Sequence, residues 1–256
     1  MNMVEPAGPF SFCGESPVGI LLLHGFTGSP LNVRYLGEKL AEAGYHVDAP
    51  CLTGHGSTWR ELQGATRRDW INDAEGALAG LRERATVVFA GGLSMGGTLC
   101  LHLARHHPDL AGIVLVNHAI CLTPWWLEYL TPVARMIISS VKGGPRDVKD
   151  PGAREQAFER IPLAEFNELF RLMREVRSGL HEVSQPALIF KSWEDHVVPV
   201  ASATATYDRI SSTKKDLVRL ENSYHVAVQD YDRDIIAGKV LEFVSEISRE
   251  KTDGFK

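Results

Sequence analysis

Runs that are apolar at every position alternate along this chain with stretches whose apolar residues recur at helical spacing, and that alternation leaves few folds open. Gly19-Ile20-Leu21-Leu22-Leu23, Tyr45 to Pro50, Thr86-Val87-Val88-Phe89-Ala90, Gly112 to Asn117, Ala187 to Phe190 and Leu217 to Leu220 read as short strands. A strand without a polar face must be covered on both sides, which is the condition of a parallel sheet between two helix layers. The spacing predicts helices from Ser29-Pro30 to Gly44, over residues 68–84 and 95–106, and from Arg233 to about Glu246. Ser-Pro and Gly are the start and stop signals of the first of these. Between His118 and Glu182 helical patterns continue without a convincing strand. The expected fold class is α/β: a mostly parallel sheet with helices on both faces and a small helical cap insertion. Residues 1–117 and 183–256 would form the core, and 118–182 the cap.

The strand at 86–90 runs into Gly92-Leu93-Ser94-Met95-Gly96-Gly97, and a helix pattern follows. This G-x-S-x-G motif is meaningful only between a strand and a helix, where the serine sits on a sharp turn and side chains in place of the glycines would clash. Both flanks are present, so Ser94 is the expected nucleophile. A serine hydroxyl needs a base within hydrogen-bond reach. With this motif on a parallel sheet, the partners follow in the order serine, acid, histidine. The acid should follow the strand at 187–190, where the loop reads Lys191-Ser192-Trp193-Glu194-Asp195-His196-Val197-Val198-Pro199. Both Glu194 and Asp195 are available there. The base should follow the strand at 217–220, where Asn222-Ser223-Tyr224-His225 makes His225 the candidate. His196, on the acid loop, is poorly placed to serve as base as well.

An oxyanion needs preorganised donors. The Met95 N–H, just after the nucleophile, is one. The loop His24-Gly25-Phe26-Thr27-Gly28-Ser29-Pro30 after the first strand supplies the other, with the Phe26 N–H as best candidate. His24 is expected to be a buried brace for that loop. Thr53-Gly54-His55-Gly56 is expected to turn at the surface near the site, without a metal.

Composition narrows the setting. The 256 residues carry a formal charge of -5, which argues against nucleic acid or an anionic membrane as main partner. No stretch approaches the ~18 apolar residues of a membrane span, so no stable membrane insertion is expected. The N-terminus lacks a basic start and apolar run, so no signal peptide is read. Cys13, Cys51, Cys100 and Cys121 lie in no metal-binding or C-x-x-C pattern and are expected to be reduced thiols. That gives a cytoplasmic location by default. No metal and no organic cofactor are expected, since no dinucleotide-binding glycine pattern follows a strand. The oligomeric state is left open.

Together the 24–30 loop, Gly54-His55-Gly56, the Ser94 motif, Glu194-Asp195-His196-Val197-Val198-Pro199 and Ser223-Tyr224-His225 closely resemble the bacterial carboxylesterases and monoacylglycerol lipases of the α/β-hydrolase fold. The resemblance spans almost the whole chain and is weakest in the cap. The acid loop resembles the D-x-V-V-P ending of many such enzymes, which selects Asp195 over Glu194. The resemblance implies hydrolysis of small-molecule carboxylic esters under a small mobile cap, with Phe26 and Met95 as oxyanion donors. Trp125 and Trp126 open a cap segment too apolar for a solvated helix pair, and are expected to help line an acyl pocket. Glu155, in a polar stretch of the cap, is the candidate for binding a polyol leaving group. Thioester or C–C bond hydrolysis on the same fold, or a non-catalytic binding protein, are the alternatives.

Overall fold

The computed structural model describes residues 7–144, 147–153 and 158–253. Seven strands form the main sheet: β1 (Phe10–Phe12), β2 (Val18–Leu23), β3 (His46–Ala49), β4 (Val87–Leu93), β5 (Gly112–Val116), β8 (Ala187–Ser192) and β9 (Lys215–Leu220). Their order is β1-β3-β2-β4-β5-β8-β9. Only the β1–β3 pair is antiparallel. The helices are α1 (Leu31–Glu42), α2 (Arg67–Arg82), α3 (Met95–His106), α4 (Leu127–Ala134), α5 (Leu163–Ser178), α6 (Val200–Arg209) and α7 (Arg233–Asp253).

The all-apolar strands serve two cores because successive side chains point to opposite faces. On one face Leu21, Leu23, Leu115 and Ile189 pack with Trp70 and Leu78 of α2 and Leu99 and Leu103 of α3. On the other, Ile20, Leu22, Val114 and Phe190 pack with Leu36 and Leu40 of α1 and Val240 and Val244 of α7. The parallel register places Leu23 beside Gly92 and Leu93 beside Val116. The loops leaving the carboxyl ends of β2, β4, β5, β8 and β9 therefore gather along one edge of the sheet, where open α/β sheets build their sites.

The chain between β5 and β8 holds more than the helices that its pattern predicts. A two-stranded antiparallel ribbon, β6 (Ser140–Lys142) with β7 (Arg160–Pro162), lies between α4 and α5. Helix α5 contributes Leu172, Met173 and Val176, all fully buried, to the same core as α2 and α3. The inner part of the insertion is thus continuous with the core. Helix α4 is tied to α5 through Glu128, whose carboxylate accepts from Arg174 Nε at 3.1 Å and Arg177 Nη2 at 3.0 Å.

Candidate active site

Strand β4 ends on Ser94, whose φ of 54° and ψ of -116° lie outside the range usual for a side-chain-bearing residue. Local packing holds it there. The Ser94 N–H donates to Val116 O at 3.0 Å, and Ser94 O accepts from Ala119 N at 3.2 Å and Thr98 N at 3.2 Å. The turn is tight enough that a Cβ on Gly92 would sit 2.3 Å from the Gly96 carbonyl carbon, and one on Gly96 2.0 Å from Leu23 O. Met95 is the first residue of α3, so its N–H has no intrahelical acceptor and stands at the positive end of the helix dipole.

The loop after β2 closes over the serine: a Cβ on Gly25 would lie 3.3 Å from Ser94 Cβ. His24, fully buried, fixes this loop. Its Nε2 accepts the Leu52 N–H at 3.1 Å and its Nδ1 faces Gly25 O at 2.9 Å. Burial, reinforced by the neighbouring His55, pushes the His24 pKa down to about 3. A second polar lock is Asn32, whose Oδ1 accepts the Ser29 N–H at 3.0 Å. Phe26 sits at the turn between them and lines the cavity.

His225, on the loop after β9, places Nδ1 3.0 Å from Asp195 Oδ2. Asp195 Oδ1 accepts the N–H groups of Val197 and Val198 at 2.9 and 2.8 Å. Burial works to raise the Asp195 pKa, but His225 and Lys191 outweigh it and hold the carboxyl well below the usual range. Glu194 turns outward to Lys149 Nζ at 3.0 Å, and His196 to Asp147 Oδ1 at 2.7 Å.

Three further residues organise the site. Asn117, just past β5, donates from Nδ2 to His225 O at 2.8 Å and Ser192 Oγ at 2.9 Å, and accepts the Ser192 N–H at 2.8 Å. It joins the acid loop to the base loop. Asp147 Oδ2 accepts the His225 N–H at 3.2 Å and the His196 N–H at 3.1 Å, which brings the insertion into contact with both loops. Lys191 Nζ donates to Asp195 Oδ2 at 2.5 Å and Val198 O at 2.8 Å. The only advance signal for Asn117 was its place at the carboxyl end of an apolar strand. Asp147 carried none, and Lys191 only its adjacency to the acid loop.

Ser94 and His225 share a cavity of about 340 Å³ with Leu122, Leu127, Phe158, Phe166 and Leu169. Trp125 and Trp126 do not line it. They are 72% and 45% exposed, because the start of α4 directs them outward while Leu122 and Leu127 turn in. Glu155 lies outside the described residues. His55 is packed between Phe26, Trp70 and Phe158, and burial pushes its pKa down to about 4. Its side chain is interior, while the Thr53–Gly54 turn beside it reaches the surface at Thr53. Among the described residues, no three His, Cys, Asp or Glu side chains converge as a metal site, and no helix is long and apolar enough to cross a membrane.

Known proteins resemble this chain along most of its length. The family described as serine aminopeptidase, S33 (Hydrolase_4) matches residues 15–232. The chain is 42% identical to the thermostable monoacylglycerol lipase of Bacillus sp. (strain H-257), covering 95% of this chain and 96% of that protein. It is 31% identical to the carboxylesterase of Bacillus subtilis (strain 168), covering 96% and 99%. A solved structure from work on the metagenome-derived lipolytic enzymes LipS and LipT superposes with a TM-score of 0.91 at 38% identity, covering 95% of this chain and 99% of that one. With the Ser94 turn, the His225–Asp195 pair and this likeness along nearly its full length, the chain belongs to the serine aminopeptidase S33 (Hydrolase_4) family, built on the α/β-hydrolase fold.

Proposed function

We propose that the protein is a serine carboxylic ester hydrolase that cleaves monoacylglycerols and short- to medium-chain esters through an acyl-enzyme. The observation that carries this reading is the 3.0 Å His225 Nδ1–Asp195 Oδ2 contact beside Ser94 in an apolar cavity. With Nδ1 turned to Asp195, the other imidazole nitrogen is left for the serine proton. Ser94 Oγ attacks the ester carbonyl carbon as His225 takes that proton. The N–H groups of Phe26 and Met95 receive the oxyanion. The imidazolium then protonates the departing alcohol, and His225 activates water to release the acid. Asp195 holds the imidazole orientation and stays ionised throughout.

An apolar cavity suits an acyl chain. A peptidase acting on free N-termini would need a carboxylate for the α-ammonium. Among the described lining residues the carboxylate is Asp147, already engaged by His196 and two main-chain N–H groups. That observation favours esters. The outer insertion, from about residue 118 to β7, acts as the cap and sets alcohol and chain preference. Glu155 remains the candidate for the polyol. Trp125 and Trp126 contribute to the outer cap surface rather than the cavity wall. Four cysteines without disulfide partners suit a reducing, cytoplasmic compartment.

The test is kcat/KM on 1-monolauroylglycerol and p-nitrophenyl butyrate for wild type and Ser94→Ala. Wild type should cleave both and prefer the monoacylglycerol. Ser94→Ala should lose at least about a thousandfold on each. Unchanged activity in that variant would remove Ser94 as nucleophile. Wild-type protein that hydrolyses neither ester and resists a fluorophosphonate probe would favour a binding protein.

A further inference from the structure

Lys191 is a lysine in an unusual place. It belongs to β8, its side chain is 1% exposed, and its ammonium meets the carboxylate of Asp195, also 1% exposed. Three acceptors surround Nζ: Asp195 Oδ2 at 2.5 Å, Val198 O at 2.8 Å and Asn117 Oδ1 at 3.4 Å. The same Asp195 oxygen lies 3.0 Å from His225 Nδ1. One carboxylate oxygen therefore serves two cationic partners, the Lys191 ammonium and the imidazolium that forms during turnover. Oδ1 is taken by the acid-loop N–H groups of Val197 and Val198, so the ammonium and the imidazole meet on Oδ2.

We propose that Lys191 is a positioning residue of the catalytic machinery that fixes Asp195 on the acid loop and, by sharing Oδ2, draws carboxylate charge away from His225, extending the active pH range downward. This rests on the assignment of Ser94, Asp195 and His225 given above. The charge count explains the effect. The resting cluster of ammonium, carboxylate and neutral imidazole sums to zero, whereas protonation of the imidazole leaves it at +1. Without Lys191 the protonated cluster would be neutral, and a proton would bind more readily. In an enclosed site that difference is weakly screened.

The other charged or titratable groups around the cluster are the same in wild type and variant, so the difference between them rests on Lys191. Asp147, on the insertion, faces the His225 main chain and is paired with His196. Asp230 is engaged by the N–H groups of Lys149, Asp150 and Tyr224. Glu194 pairs outward with Lys149. Asp147 and Cys121 also lie within electrostatic reach of Lys191. His118 approaches from the end of β5 but is kept neutral: burial, with Lys191 adding to it, pushes its pKa down to about 3. For Lys191 itself, burial lowers the pKa and Asp195 counters it.

The experiment is the pH profile of kcat/KM on p-nitrophenyl butyrate for wild type, Lys191→Met and Lys191→Arg, with kcat and KM resolved and thermal melts run alongside. Met retains the stem and removes the charge. Its acid-limb midpoint should rise by about one pH unit, the scale set by a charge within 4–6 Å, through kcat rather than KM. Arg restores the charge and should return the midpoint to near the wild-type position. If Met does not fold, Lys191→Gln, neutral but still a donor to Asp195, carries the same expectation. A midpoint that stays in place in the folded neutral variant, with only melting temperature or plateau changed, would overturn the proposal and leave Lys191 a structural tie. Ser94→Ala, run in parallel, separates the two failures: undiminished activity there removes the triad assignment itself.

Discussion

His24 and His118 are enclosed side chains whose neutral forms the fold requires. His24 bridges Leu52 N–H and Gly25 O, and His118 Nε2 meets Thr206 Oγ1 at 2.7 Å. Both have pKa values pushed down to about 3, first by burial. The unfolded chain takes up these protons below about 6.5 and the folded chain does not. Stability from each is therefore complete above about pH 6.5 and declines as pH falls from there towards about 3. The loss is about 1.4 kcal/mol per pH unit, or about 2 kcal/mol per histidine by pH 5. Asp195 acts in the same direction lower down: its contribution is present above about pH 4 and is lost as pH falls below that. Urea unfolding at pH 7.5 and 5.0 should show this decline, and His118→Asn should lose less stability between the two. Equal losses in variant and wild type would show that His118 accepts a proton in the folded state.

Among the elements, α4 depends on one carboxylate. Its outward face carries Tyr129, Leu130 and Val133, 64%, 56% and 63% exposed, so Glu128 on the inner side does much of the anchoring to α5. Arg174 and Arg177 are 54% and 28% exposed at the side chain and can turn to water when released. Glu128→Ala should therefore cost about 1–2 kcal/mol, less than the full penalty for a buried charge left alone. Because Leu127 lines the cavity, KM should rise more than kcat falls. A thermal melt and steady-state kinetics check both, and an unchanged KM would uncouple α4 from substrate binding. Elements of this kind also mark what the sequence could convey. Strands β2, β4, β5 and β8 were legible because burial on both faces leaves uninterrupted apolar runs. The Ser94 turn was legible because its geometry is local, enforced by Gly92 and Gly96. Strands β6 and β7 were not: three residues each, paired with a partner far away in sequence, carry no period. Asn117, Asp147 and Lys191 were likewise hidden as site residues, since each acts through partners 30 or more residues away or through a loop geometry that only the folded chain supplies. Trp125 and Trp126 were misleading for a related reason, because an aromatic pair reads as lining until the helix direction is known.

Over the whole molecule, the insertion divides by depth. Helix α5 is sealed into the core beside α2 and α3, whereas α4 and the β6–β7 ribbon ride above it. Native-state hydrogen exchange should find the α5 amides protected on the scale of the central strands, and those of α4 and β6 opening at much lower free energy. Uniform protection across the insertion would contradict that layering. The two ends of the insertion leave and re-enter at β5 and β8, which are hydrogen-bonded neighbours with Ile113 beside Ala187. The chain leaves after Val116, beside Phe190, and re-enters at Ala187, so the crossover runs from the carboxyl end of β5 back to the amino end of β8, roughly 10 Å along the strands and one strand spacing across. Chain can be added or removed there with only a logarithmic change in closure entropy. The outer part, before α5, behaves as a replaceable cassette: insertions and deletions there can remodel which ester is admitted while the sheet loops that carry Ser94, Asp195 and His225 stay in place.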